Sequence, residues 1–264
     1  MKLKHFLLCV MGILIPTTVF SAEYYVVPGL RSTCNYVSSW EKAITMYDIF
    51  ENDAAAAKND EVSKYKTGDV FFLAGGTYYN ATSPGSDAGR IYRGYIFVGG
   101  CDQSKGVVTE WPAYPSATPT IFSGDLDENG GPSAGDLRNL IHVRQARNDA
   151  AENLAHICKL IGSDFTCSYS PEGSTNASGA VYCTQGAIEL QYCNIYNNIS
   201  KGEGTGDGIG AGIHIYGGLY HIKDCNVYNN KAHKTGAGFR CTSRSSKTVS
   251  YTHLRAHETS AHLV

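Results

Sequence analysis

The sequence predicts an all-β solenoid, a right-handed parallel β-helix in which each turn of chain lies on the one before. Val181–Asn198 aligns with Ile213–Asn230 at an offset of 32, matching Gly186 with Gly218, Leu190 with Ile222, Cys193 with Cys225, Ile195 with Val227 and Asn198 with Asn230. A third copy opens at Gly236-Ala-Gly-Phe-Arg-Cys241 and matches Gly210-Ala-Gly-Ile-His-Ile215 at an offset of 26. Within each copy the side chains alternate, Ile213 and Ile215 facing one way and His214 the other. Repeats of this size, made of short alternating segments, indicate stacked strand units. The unequal offsets imply a unit of about 26 residues, with Lys201–Gly208 inserted in one loop.

Asn198 and Asn230 close the inward row where the chain must turn. An Asn can stay inside there by bonding to turn backbone and to the Asn one unit away. Cys193 and Cys225 lie one unit apart, within the ~4.4–6.8 Å between Cα atoms that a disulfide spans. Cys183 and Cys241 have Ile215 between them, hence ~9.6 Å, and cannot pair. A reduced ladder of small core thiols is the alternative.

The repeat region, clearest over 178–248, belongs to one expected domain, 22–248. Residues 1–21 read as a secretory signal: Lys2 and Lys4 precede the apolar run Phe6–Ile15, and cleavage is expected after Ser21. That run is shorter than the ~20 residues that cross a bilayer. Within 38–57, Ser38-x-x-Glu41 is a capping box, and Trp40, Ala43, Ile44 and Tyr47 make one apolar face, so a helix is expected there as a lid on the first turn. Val70–Leu73, Ile96–Val98, Thr120–Phe122 and Leu140–Val143 read as the first strands. Val249–Thr259 has neither glycine spacing nor alternation and resembles a one-frame translation of a DNA-library adapter. Residues 249–264 are therefore expected to lie outside the fold, the natural chain continuing beyond Thr248; a metal-binding tail through His253, His257 and His262 is the alternative.

Several segments carry a family resemblance. They are Gly210-Ala-Gly-Ile, the apolar-x-x-Asn units Ile195–Asn198 and Val227–Asn230, Tyr24-Tyr-Val-Val-Pro-Gly, Gly68–Tyr78, Tyr95-Ile-Phe-Val-Gly-Gly and Thr118–Asp125. The chain resembles the secreted right-handed β-helix proteins of Bacteroidetes-like bacteria, related to chlamydial polymorphic outer-membrane proteins. That family has Phe where Ile195 and Val227 stand. The resemblance implies a pectin-lyase-like fold, export through the Sec pathway, and a secreted, cell-surface or outer-membrane location.

Setting aside Lys2, Lys4, Arg255 and Glu258 takes the 22 basic and 24 acidic residues to 19 and 23, a net charge of about −4. With no basic run, nothing points to nucleic acid or to an anionic membrane surface, and membrane attachment would need the continuation of the chain. Asp125-Leu-Asp127-Glu-Asn129-Gly130, followed by Asp136, has the spacing of a calcium loop, with Asp136 in place of the usual Glu. A solvated turn is the competing reading. Tyr182, His214 and Arg240 stack outward on successive units, with Glu189 and His221 beside them. Polysaccharide lyases of β-helix type place an Arg or Lys base and calcium-binding acids on such a face. Only Glu189 and Asp224 supply acid here, so a mixed, solvated face is expected. Tyr182 and Tyr216 can stack on sugar rings without catalysis. The expected function is a monomeric, adhesin-like or glycan-binding module for a polysaccharide or host-surface glycan, with no cofactor or with Ca²⁺. The competing class is a polysaccharide lyase or glycoside hydrolase acting on an acidic polysaccharide.

Overall fold

The structure, a computed structural model, describes residues 21–29, 40–55, 63–79, 89–144, 157–172, 179–201, 210–242, 249–252 and 255–257. The signal-like run, Cys34, Ser38, most of the 201–208 insertion, His253 and His262 lie outside the described residues. In chain order the elements are β1 (Glu23–Val26), α1 (Met46–Ala55), β2 (Val70–Ala74), β3 (Gly76–Tyr78), β4 (Arg90–Ile91), β5 (Ile96–Cys101), β6 (Thr120–Ser123), β7 (Ile141–Arg144), β8 (Cys158–Ile161), β9 (Ser163–Thr166), β10 (Tyr169–Ser170), β11 (Val181–Gln191), β12 (Asn194–Tyr196), β13 (Ile199–Ser200), β14 (Ile213–Lys223), β15 (Asn226–Tyr228), β16 (Lys231–Ala232), β17 (Phe239–Thr242), β18 (Val249–Thr252) and β19 (Arg255–His257).

Among the described residues every strand pairing is parallel and the sheets run in chain order, the arrangement a solenoid requires. The first sheet is β1-β2-β5-β8-β11-β14-β17, with β4 and β7 joined beside β11; the second is β3-β6-β9-β12-β15-β19; the third is β10-β13-β16. The offset-32 alignment is the register of β11 on β14, Val181 opposite Ile213 through Gln191 opposite Lys223. The offset-26 alignment is that of β14 on β17, Ile213 opposite Phe239. The 26-residue spacing returns at Val70 opposite Ile96.

Register makes columns of like residues. Phe71, Phe97, Leu160, Leu190 and Ile222 follow one another inward, all fully buried. On the second sheet Tyr78, Phe122, Phe165, Ile195 and Val227 do the same, and the Phe122 and Phe165 rings stack 5.1 Å apart at 6°. The seven described cysteines are free thiols. Cys183, Ile215 and Cys241 share a column. Cys193 and Cys225, on adjacent layers, each donate to backbone carbonyls, Leu160 and Gln191 for the first and Lys223 for the second.

The helix departs from its expected place. A short 3-10 turn covers Trp40–Lys42, Ile44 bridges to Val26 in β1, and α1 begins only at Met46. The capping box is Thr45 with Asp48, whose carboxylate accepts from Thr45 N and Oγ1 at 2.8 Å each. Met46, Ile49, Phe50 and Asp53 form its buried face. Asp53 accepts from Tyr92 N, Arg93 Nη1 and Tyr95 Oη, a buried ion pair that ties α1 to the chain leading into β5. Burial raises the Asp53 carboxyl above its usual range despite these partners.

Residues 249–252 and 255–257, expected outside the fold, continue the stack in backbone terms: β18 pairs with Tyr220–Lys223 and β19 with Asn226–Tyr228. An open parallel edge offers unpaired N–H and C=O groups that an extended segment satisfies whatever its side chains.

At the turn after the second sheet, Asn198 and Asn230 are both buried. Asn198 Nδ2 donates to Asn230 Oδ1 (2.8 Å) and to Tyr196 O, Asn198 Oδ1 accepts from Ser168 N, and Asn230 Nδ2 donates to Ile195 O. An apolar side chain at 230 removes the acceptor of Asn198 N and Nδ2 and the donor to Ile195 O, at ~1–3 kcal/mol for a buried group left unpaired. Asn230→Leu should therefore lower the thermal midpoint, although the side chain becomes more apolar. An unchanged midpoint would show that the ladder contributes nothing.

Candidate functional site

The outward face of the first sheet carries two columns. In the first, register aligns Arg90, His142, Tyr182, His214 and Arg240 across β4, β7, β11, β14 and β17. In the second it aligns Arg144, Thr184, Tyr216 and Thr242. The rings of the first column form a continuous pile: His142 lies 4.6 Å from Tyr182, and Tyr182 lies 5.2 Å from His214. Arg90 and Arg144 are exposed, while Tyr182, Tyr216 and Arg240 are half-buried.

The mixed, solvated face expected here is covered at two positions. His142 and His214 point away from the core, yet are only 5% and 2% exposed. Strand alternation fixes which side a residue faces; it does not fix whether that side is covered. The cover is tight around His214, because a Cβ on Gly210 would stand 2.9 Å from the His214 Cβ, and one on Gly179 3.0 Å from its backbone nitrogen. His142 Nε2 contacts Thr184 Oγ1 at 2.9 Å, whereas neither ring nitrogen of His214 has a hydrogen-bond partner. Burial, reinforced by Arg90 and Arg144, pushes His142 down to about 3. Burial, reinforced by Arg240, pushes His214 down to about 4. Both imidazoles are therefore neutral near pH 7 and poorly suited to proton transfer there.

Arg240 donates from Nε to Thr242 Oγ1 at 3.1 Å and from Nη1 to Thr235 Oγ1. The two threonine hydroxyls hold the guanidinium in place. Glu189 and His221 are neighbours on one further column, but Glu189 pairs with Lys159 at 3.2 Å. Neither column around Arg240 contains a carboxylate.

The acidic loop lies elsewhere, at the turn after β6 of the second sheet. Asp125, Asp127 and Asp136 bring carboxylate oxygens within 4.8 Å of one another. Asn129 does not join them: its Oδ1 accepts from Gly131 N, while its Nδ2 donates to Asp127. All six carboxylate oxygens accept from the loop itself, Asp125 from Asn129 N and Gly130 N, Asp127 from Asn129 N, Asn129 Nδ2 and Ser133 Oγ, Asp136 from Leu126 N and Ser133 N. Burial and the two neighbouring aspartates push Asp136 up to about 6. The loop thus closes on its own hydrogen bonds, and a calcium ion at the three carboxylates would take its remaining ligands from backbone carbonyls and water.

Sequence reasoning missed the excursion 102–119 between β5 and β6, which encloses a cavity of about 580 Å³ lined by Asp102, Lys105, Glu110 and Trp111 among others. Its signal was available: an aromatic residue in a charged, non-repeating loop. No family model matches the chain, and neither a curated protein nor a solved structure does.

The buried imidazole gives a pH test. A folded-state value below the unfolded one means that the unfolded chain binds the proton more tightly, so stability is full above about 6.5 and is lost as pH falls towards about 4. The raised value of Asp136 acts with the opposite sign over much of this range but is shared by both proteins in a comparison. His214→Phe loses no hydrogen bond, so it should keep or raise the midpoint at pH 7 and make the acid-side decline shallower. An equally steep decline would show that His214 does not set it.

Proposed function

We propose that this chain is a right-handed parallel β-helix of pectin-lyase-like type, exported to the cell surface or beyond, that binds an acidic glycan without cleaving it. The carrying observation is the paired outward columns, in which Arg90, Arg144 and Arg240 frame Tyr182 and Tyr216 with no carboxylate between them. Layers ~4.8 Å apart repeat at about the length of one sugar ring, so Arg90 and Arg144 on adjacent layers, and Arg240 three layers beyond Arg144, can meet spaced anionic groups along one glycan chain. Guanidinium groups grip carboxylate or sulfate through two parallel hydrogen bonds, and tyrosine rings cover the apolar sugar face. Export is supported by the charged and apolar pattern of the first 21 residues and by the family resemblance. Among the described residues no helix is long and apolar enough to cross a membrane.

Against cleavage stand the separation of the acidic loop from Arg240, on different sheets, and the neutral, buried state of both histidines. The test uses the full-length gene product on pectin, alginate and glycosaminoglycan panels, with ultraviolet absorbance reporting unsaturated product. Retention should weaken as salt rises, should fall sharply in the Arg90→Ala/Arg144→Ala/Arg240→Ala triple variant, and should yield no product. Calcium-dependent product that disappears in Arg240→Ala would make the protein a lyase instead.

A further inference from the structure

The exposed large hydrophobic side chains of the described residues are three: Val107 at 57%, Trp111 at 53% and Tyr192 at 39%. Two of them line the recess of the excursion 102–119, and the third lies beside the excursion. Val107 and Trp111 belong to it, and the Tyr192 ring stacks on Tyr114 of the same loop at 5.1 Å and 23°. Single exposed apolar groups are ordinary, but Val107 and Trp111 share one recess, as on a binding surface.

The loop is held as a rigid frame. Tyr114 Oη donates to Gly99 O, while Ser116 Oγ and Thr118 Oγ1 both donate to Gly100 O. At its other end Trp40 Nε1 donates to Gly106 O at 2.7 Å, and Val108 N donates to Tyr25 Oη. Gly162 makes room for Tyr114, since a Cβ there would fall 1.7 Å from the ring. The loop thus packs along several layers of the stack, from β1 through β5 to the turns after β8 and β11.

What it encloses is a cavity of about 580 Å³, the size of small-ligand sites, with Trp111 beside Asp102, Lys105 and Glu110 on the lining. An indole plane takes the C–H face of a pyranose, and carboxylate and ammonium groups take its hydroxyls. Two carboxylates against one ammonium disfavour an anionic sugar. We propose that the 102–119 recess is a second glycan site, separate from the arginine columns, that holds an uncharged sugar ring against Trp111. This rests on the premise that the ligand is a glycan, but on none of the residues used for the acidic one.

The two tryptophans of this sequence, Trp40 and Trp111, each contribute an indole N–H signal to a nitrogen-labelled spectrum. Trp111→Ala and Trp40→Phe assign each by its loss. Cellohexaose, mannohexaose and chitohexaose are titrated against the full-length protein. At least one should shift the Trp111 indole signal saturably, with Trp40 moving less, and should bind at least about tenfold more weakly to Trp111→Ala. Trp111→Ala should retain the acidic-polysaccharide binding of the parent, which also shows that it is folded. If all three sugars leave the Trp111 signal in place while acidic panels still retain the protein, this site is refuted and the arginine-column reading stands. If a neutral sugar shifts the signal while acidic panels retain nothing, the reverse holds.

Discussion

Parallel in-register stacking of the backbone is the constraint on which the rest depends. Neighbouring strands ~4.8 Å apart place each side chain on its counterpart one layer away, so a residue must suit its own kind. Aromatic rings satisfy this inside, as in the stacked Phe71 and Phe97. Amides satisfy it at the turn, through the Asn198–Asn230 bond, and on the surface, through Asn226 to Asn194 and Asn194 to Asp164. Glycine satisfies it where backbones crowd: a Cβ on Gly218 would meet Gly186 O at 2.1 Å, and φ there is 117°. The same constraint generates the outward arginine and aromatic columns, so the proposed binding face is a by-product of the core's register.

The first layers need different physics, because an open end of the stack would expose a core cross-section. Ile44 adds one bridged residue to β1, and α1 contributes Met46, Ile49 and Phe50 to the core. Asp53, Arg93 and Tyr95 then fix the helix through buried polar contacts whose satisfaction is mutual. On the opposite side of the first sheet, Tyr25, Phe72, Val98 and Ile161 would face water; they are buried instead, with Trp40 packed on Tyr25 and Val108 bonded to its hydroxyl. The excursion 102–119 thus serves the fold by covering this region and offers a recess on its outer side.

Legibility in the sequence followed the repeat. The registers of β11, β14 and β17 could be read because Cys, Asn and Gly recur at fixed offsets. The earlier layers could not be aligned so: Thr120 and Ser163 are paired 43 residues apart, and Ile96 and Lys159 63 apart. The helix start was misplaced because two capping boxes compete, Ser38 with Glu41 and Thr45 with Asp48, and the choice is made by Ile44 joining β1. His214 was legible as outward but not as buried, since its cover combines Gly210 of its own layer with Gly179 of the layer before. The aspartate spacing announced three converging carboxylates correctly, while Asn129 turned to the nearer backbone N–H of Gly131. Trp111 carried no periodic signal at all.

Through-hydrogen-bond NMR couplings test the stacking itself most directly. The account predicts coupling from the Asn226 amide nitrogen to the Cys193 carbonyl carbon and from Lys231 to Asn198, bonds of 2.9 and 2.8 Å with the same separation along the chain. An antiparallel arrangement would instead give separations that shrink towards a turn, and couplings of that kind would contradict the parallel register and everything built on it.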